Sequence, residues 1–189
     1  MKSLTGNKSL WRKLGSLALV VVVLGSVLFA GAAPTLAAGE GAPPPQEEVG
    51  ERGAPRLEFA YLRLQHAAEA QDLRLGQAAE VVDFIQGWID ELAASGEDVT
   101  GLQTALDAFD AALAEAQGHY EAAKAVLDEH AGFDESGQVT DREAARETLR
   151  EAGRSLDDAR RALADGATQL RRAIRDWGRE QPRPRQTES

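Results

Sequence analysis

Between Phe133 and Glu143 the chain reads Phe-Asp-Glu-Ser-Gly-Gln-Val-Thr-Asp-Arg-Glu, a run dense in oxygen-bearing side chains. With Gly137 at the bend, Asp134, Ser136, Gln138 and Glu143 fall where carboxylate, amide and hydroxyl oxygens can converge on calcium, a hard cation that takes about six to eight oxygen ligands. Gly132 stands where the first of those ligands would be, so one carboxylate is missing from the set. The same residues also spell a turn and a helix start, with Thr140 as cap and Glu143 reaching back to it. His66, His119 and His130 are the other metal-ligating side chains. The last two lie about three helical turns apart, too far to share a zinc ion along one helix.

Carboxylates are abundant, as in Asp107 with Asp110, Asp90 with Glu91 and Asp157 with Asp158. None has a nucleophile or base beside it in the sequence, and they read as solvated faces. Cysteine is absent, which excludes disulfides, thiolate metal sites, cysteine nucleophiles and a lipidated cysteine. Nucleotide loops, catalytic triads and paired-histidine metal motifs are missing as well. The sequence therefore predicts no enzyme, no cofactor and no small-molecule substrate.

The elements that carry these residues follow from periodicity. From Leu57 to Trp177 apolar or small residues recur at alternating spacings of four and three, the pattern of a helix with one apolar seam. Helix 1 is expected over 57–95, its seam running from Leu57 through Tyr61, Gln71, Val82 and Ile89 to Leu92, and Gly96 is a natural stop. Helix 2 is expected over 100–131, with Thr100 as cap, Gln103 reaching back, and a seam from Leu102 to His130. Helix 3 is expected over 140–179, where Leu149, Leu156, Leu163 and Leu170 alternate with Ala145, Ala152, Ala159, Gly166 and Ala173. Small residues at these positions let a neighbouring helix approach closely. Short connections make consecutive helices antiparallel, so the expected fold is all-α: an elongated, coiled-coil-like three-helix bundle over 57–180, about 50 to 60 Å long. An intermolecular leucine zipper is the competing use of helix 3.

Outside the bundle, Lys2, Lys8, Arg12 and Lys13 precede an apolar run from Leu14 to Ala33, and Thr35-Leu36-Ala37-Ala38 offers small residues for processing. Residues 1–38 read as a signal peptide cleaved after Ala37 or Ala38, and the bundle as exported, periplasmic or extracellular. The alternative is an uncleaved anchor at 14–33, long enough to span a bilayer with the bundle outside it. Pro34 and the small residues after it favour cleavage. Residues 39–56, rich in Gly, Pro and Glu, read as a disordered linker, and 181–189 as a disordered tail. Loss of the four leader bases moves the net charge from −10 to −14, which excludes nucleic acid as a partner and confines membrane contact to the N-terminal segment.

Two pentapeptides, Val99-Thr100-Gly101-Leu102-Gln103 and Val139-Thr140-Asp141-Arg142-Glu143, resemble the LTxxQ element of the periplasmic helical-hairpin stress chaperones. Valine replaces leucine in both, and glutamate replaces glutamine in the second. The resemblance covers those ten residues and implies a cell-envelope protein that binds exposed apolar segments of unfolded clients. The 133–143 segment resembles part of a calcium-binding EF-hand loop, with Val139 at that loop's apolar position.

Two features point to interaction surfaces. Helix 3 carries ten arginines among its acids, suited to pairing within the helix, as in Glu143 with Arg146, Glu147 with Arg150 and Glu151 with Arg154, or to an acidic partner. Phe59, Leu62, Leu73 and Phe84 lie off the seam of helix 1. Either that helix packs on a broader face, with Val81 and Trp88 flanking the seam, or the four side chains meet a protein partner or a second copy. The expected role is a non-enzymatic interaction or structural module of the bacterial cell envelope. A holdase-like chaperone and a weak calcium-binding or metal-binding module are the alternatives.

Overall fold

In a computed structural model, which describes residues 53–181, the chain forms three α-helices: α1 Gly53–Ala94, α2 Thr100–Glu129 and α3 Arg142–Glu180. Among the described residues the only strand-like pairing is an isolated bridge between Phe133 and Val139, so the expected all-α class holds there. The expected leader and anchor, the linker up to residue 52 and the tail from residue 182 lie outside the described residues. No helix among the described residues is long and apolar enough to cross a membrane.

Contacts across the helices give their directions. Tyr61 meets Leu127 and Gln86 meets Gln103, so partner numbers fall as α1 ascends and α2 runs against it. Ala131 meets Thr148 while Phe109 and Ala112 face Gly166, so α3 runs against α2. Leu64 lies beside Gly153 and Trp88 packs on Trp177, which makes α1 and α3 parallel.

The boundaries differ from expectation where backbone chemistry outweighs the apolar pattern. Helix α1 already includes Gly53 and Pro55, at the edge of the described residues, where the expected linker ran to residue 56. It ends as expected: Gly96 takes φ +84°, its N–H donates to the Ala93 carbonyl, and the Glu97 N–H donates to that of Leu92. Helix α2 stops earlier than expected, at Glu129, with His130 in the left-handed region at φ 42°. Its N-terminus is not capped by Thr100. The Asp98 carboxylate accepts the Thr100 N–H instead (3.0 Å), while Gln103 exchanges side-chain hydrogen bonds with Gln86 of α1 (3.0 and 3.1 Å). At α3 the cap is Asp141, not Thr140. Its side chain accepts the N–H groups of Glu143 and Ala144 at 2.8 and 3.2 Å, and Thr140 donates its N–H to the Gly132 carbonyl. In both places a short carboxylate stands nearer the orphan donors than the threonine does.

The core follows the predicted seams, with small rotations. Val81 rather than Val82, Thr148 rather than Leu149, and Ile174 rather than Ala173 are buried, and Tyr120 and His130 are only partly covered. Helices α2 and α3 lie closest together. Ala116, Ala123, Ala145, Ala152 and Ala159 are each 0% exposed, so it is the small residues that sit at the closest approach. Gly166 is the tightest of these places: a Cβ there would stand 2.7 Å from the Ala112 Cβ.

Candidate functional site: the outer face of helix α1

The turn at 130–141 is tied together by hydrogen bonds among its own residues. The Asp134 Oδ1 accepts the Ser136 N–H (2.9 Å), the Ser136 hydroxyl (2.7 Å) and the Gln138 N–H (2.9 Å), and these bonds hold its carboxyl below the usual aspartate range. The Gly132 carbonyl accepts the N–H groups of both Thr140 and Asp141. A Cβ at Gly132 would lie 2.2 Å from the Ala145 backbone nitrogen, so the position is reserved for the close passage of α3. Glu143 sits in the first turn of α3, and no cluster of three or more His, Asp or Glu side chains among the described residues is placed to hold a metal ion.

Phe133, in the middle of this turn, is a core residue that sequence reasoning missed. It is buried and stacks on Tyr61 with ring centroids 4.2 Å apart. The Tyr61 hydroxyl donates to the Leu127 carbonyl at 2.8 Å, and burial pushes its pKa up. The Val139 N–H donates to Glu58 at 3.1 Å, which ties the turn to the start of α1. A lone large aromatic between Gly132 and Asp134 was the available signal.

The histidines do not converge: His130, His119 and His66 line three different grooves. The arginines of α3 lie on the side away from the core. Among them Arg150 pairs with Glu147, Arg160 with Asp157, Arg161 with Asp158 (3.0 Å) and Arg179 with Asp176 (3.3 Å), all at i, i+3. Such exposed pairs stabilise by a few tenths of a kcal/mol each and leave a solvated, charged face.

Phe59, Leu62, Leu73 and Phe84 are the exposed large hydrophobic residues of the bundle, at 62, 47, 67 and 56%. The broader packing face considered for α1 is thereby excluded for these four, although Val81 is buried and Trp88 is half covered against Trp177. At about 100° per residue the four side chains fall within an arc of about 60°, turned away from the core, and form one line along the helix. Leu62 and Leu73 also edge a groove of about 690 Å³ between α1 and α2, whose rim includes Glu69, Asp72, Lys124 and Asp128. Burial raises the pKa of Tyr120, which is helped by the nearby Asp72, and a hydrogen bond from Lys124 to Asp128 raises that of the lysine.

The line has a cause in the sequence that the seam pattern conceals. Glu-x-x-x-Leu-Arg-Leu-x-x-Ala-Ala stands at 58–68 and again at 69–79, and a third copy from Glu80 has Phe84 in place of the first leucine. Eleven residues make three helical turns to within about 20°, so a residue type repeated at that interval stays in line.

Gln71 is the other feature at variance with a plain seam. It is 2% exposed in the core of α1, and its side-chain nitrogen has no hydrogen-bond partner. No family model, curated protein or solved structure matches the chain.

Proposed function

We propose that this chain is a non-enzymatic docking module whose working surface is the outer face of α1, exported to the cell envelope by residues 1–38. The observation that carries the reading is the line of Phe59, Leu62, Leu73 and Phe84, four large apolar side chains left in water on one face of one helix. Each such side chain gains about 1.5 to 3 kcal/mol on full burial, so a surface that keeps four of them aligned is suited to a protein partner. An extended apolar line flanked by charge fits helix-on-helix recognition. Export is supported by the leader pattern of basic residues, apolar run and small residues.

The test is a crosslinked pull-down from cells with the full chain and with the double variant Leu73→Glu, Phe84→Glu. A single stoichiometric partner lost in the variant is the expected result. A broad set of unfolded clients would replace the docking reading with the holdase reading, which the groove beside Leu62 and Leu73 would then serve. A catch unchanged by the variant would overturn both.

A further inference from the structure

We infer that the occupant of the outer face of α1 is a second copy of this chain, lying parallel and in register along the same face. The inference rests on the docking reading above and names its partner.

The eleven-residue repeat places three kinds of side chain on three lines of α1. Leu62, Leu73 and Phe84 run along the middle, Glu58, Glu69 and Glu80 along one side, and Arg63 and Arg74 along the other. The acidic side is the one toward α2, where Glu69 shares a groove with Tyr120, Lys124 and Asp128. The basic side is the one toward α3, which Trp88 also faces. An acidic edge and a basic edge bordering one apolar line give the surface a handedness that discriminates between partners.

Symmetry then selects the arrangement. A two-fold axis parallel to the helices places the acidic edge of one copy against the basic edge of the other. Glu69 then lies beside the partner's Arg74, and Arg74 beside the partner's Glu69, with the five-residue offset of flanking ion pairs in parallel coiled coils. Glu58 and Arg63 have the same spacing one interval earlier, with one Glu58 oxygen already accepting the Val139 N–H. Along the middle line Leu62, His66, Leu73 and Phe84 each meet their own kind, and Gln77 meets the partner's Gln77, an amide pair that penalises slipped registers. The same axis sets α2, with six acids and Lys124 as its one base, beside the partner's α3, whose ten arginines outnumber its eight acids by two.

The competing arrangement is antiparallel about Leu73, which lies midway between Leu62 and Phe84 and would bury the same line. It brings like edges together: Arg74 approaches the partner's Arg74, and Glu69 approaches the partner's Glu80. Like charges in this position destabilise the pairing.

The chain contains no cysteine, so single introduced cysteines report neighbours without ambiguity. In the full chain, Phe59→Cys and Phe84→Cys are each expected to form a disulfide with their own kind under oxidising conditions. The antiparallel arrangement would separate the two copies of residue 59 by about 42 Å, too far for Phe59→Cys to form a disulfide with its own copy. Sedimentation equilibrium of the full chain is expected to give twice the chain mass, and Leu73→Glu to give the monomer with an unchanged helical circular dichroism spectrum. Glu69→Arg and Arg74→Glu should each weaken the dimer at least tenfold, and mixing the two variants should restore it.

A dimer that persists in Leu73→Glu, or single-cysteine chains that fail to crosslink with their own kind, would overturn the inference. A full chain that is monomeric at every concentration, while Leu73→Glu still abolishes capture of a different protein, would overturn it and leave the docking reading intact. A substitution in the line that changes neither association nor capture would overturn both.

Discussion

Helices α2 and α3 on one side and α1 on the other solve the packing problem differently. Fully buried alanines and Gly166, which lies against Ala112 and Phe109, let the backbones of the α2–α3 pair come close, and at Gly166 there is no room for a Cβ. Helix α1 meets them through large residues, Leu75, Ile85, Ile89 and Leu92, and through the buried Gln71, while its opposite face leaves Phe59, Leu62, Leu73 and Phe84 in solvent. Close approach through small residues commits two helices to each other. A helix held at a distance by large residues retains a surface for another partner.

Substitutions at four places test that contrast. The largest effect is expected at Gly132, where φ is +84° and a Cβ would collide with the α3 backbone. Gly132→Ala should cost about 3 kcal/mol or more, read as a lowered urea midpoint. Next is Gln71→Leu in the other direction. Replacing a buried amide that has an unpaired donor by an apolar side chain should stabilise by about 1 to 3 kcal/mol, and a lower melting temperature would show that the amide has a partner in solution.

Glycine-to-alanine changes in the two regions should differ in sign. Gly166→Ala gains helix propensity of about 1 kcal/mol but forces a Cβ to 2.7 Å from Ala112, a repacking that costs about 1 to 3 kcal/mol, so a net loss of about 1 kcal/mol is expected. Gly87→Ala, with nothing within 4 Å, should gain about 0.5 to 1 kcal/mol. Equal shifts in the two melting temperatures would remove the distinction between the regions.

The smallest effect concerns pH. Hydrogen bonds from Thr100 and from Ser136 with Gln138 hold Asp98 and Asp134 below their ordinary range. A depressed carboxyl pKa stabilises the fold above the unfolded value of about 3.9, and that contribution is lost as pH falls through the lower folded value. The melting temperature should therefore be flat from about pH 7 to 5 and decline below about pH 4. Asp134→Asn should make the decline shallower.

The sequence announced the three helices because four-three apolar spacing has few other readings, and Gly96 closed the first of them where expected. The caps were misread by one or two positions. Asp98 lies two residues before Thr100 and Asp141 one residue after Thr140; the first carboxylate takes the Thr100 N–H, and the second takes the Glu143 N–H that Thr140 was expected to take. The turn at 130–141 was illegible in its details, since bonds to the Gly132 carbonyl and the insertion of Phe133 under Tyr61 depend on tertiary contact. Of the candidate surface, the residues were legible and their alignment was not. The core seam repeats at seven, and that shorter period masked the interval of eleven that aligns Leu62, Leu73 and Phe84.

The pair formed by Trp88 and Trp177 gives this bundle an internal optical gauge. The two indoles meet edge to face at 5.4 Å, one from α1 and one from α3, and the Trp177 ring nitrogen donates to the Asp98 carbonyl at 2.9 Å. Exciton coupling within this pair depends on the separation of α1 from α3. In a Trp11→Phe chain, where Trp88 and Trp177 are the tryptophans that remain, near-ultraviolet dichroism and tryptophan emission therefore follow the seating of α1 on α3, while far-ultraviolet dichroism follows all three helices. A difference between the two signals during unfolding would time the release of α1 without any attached label.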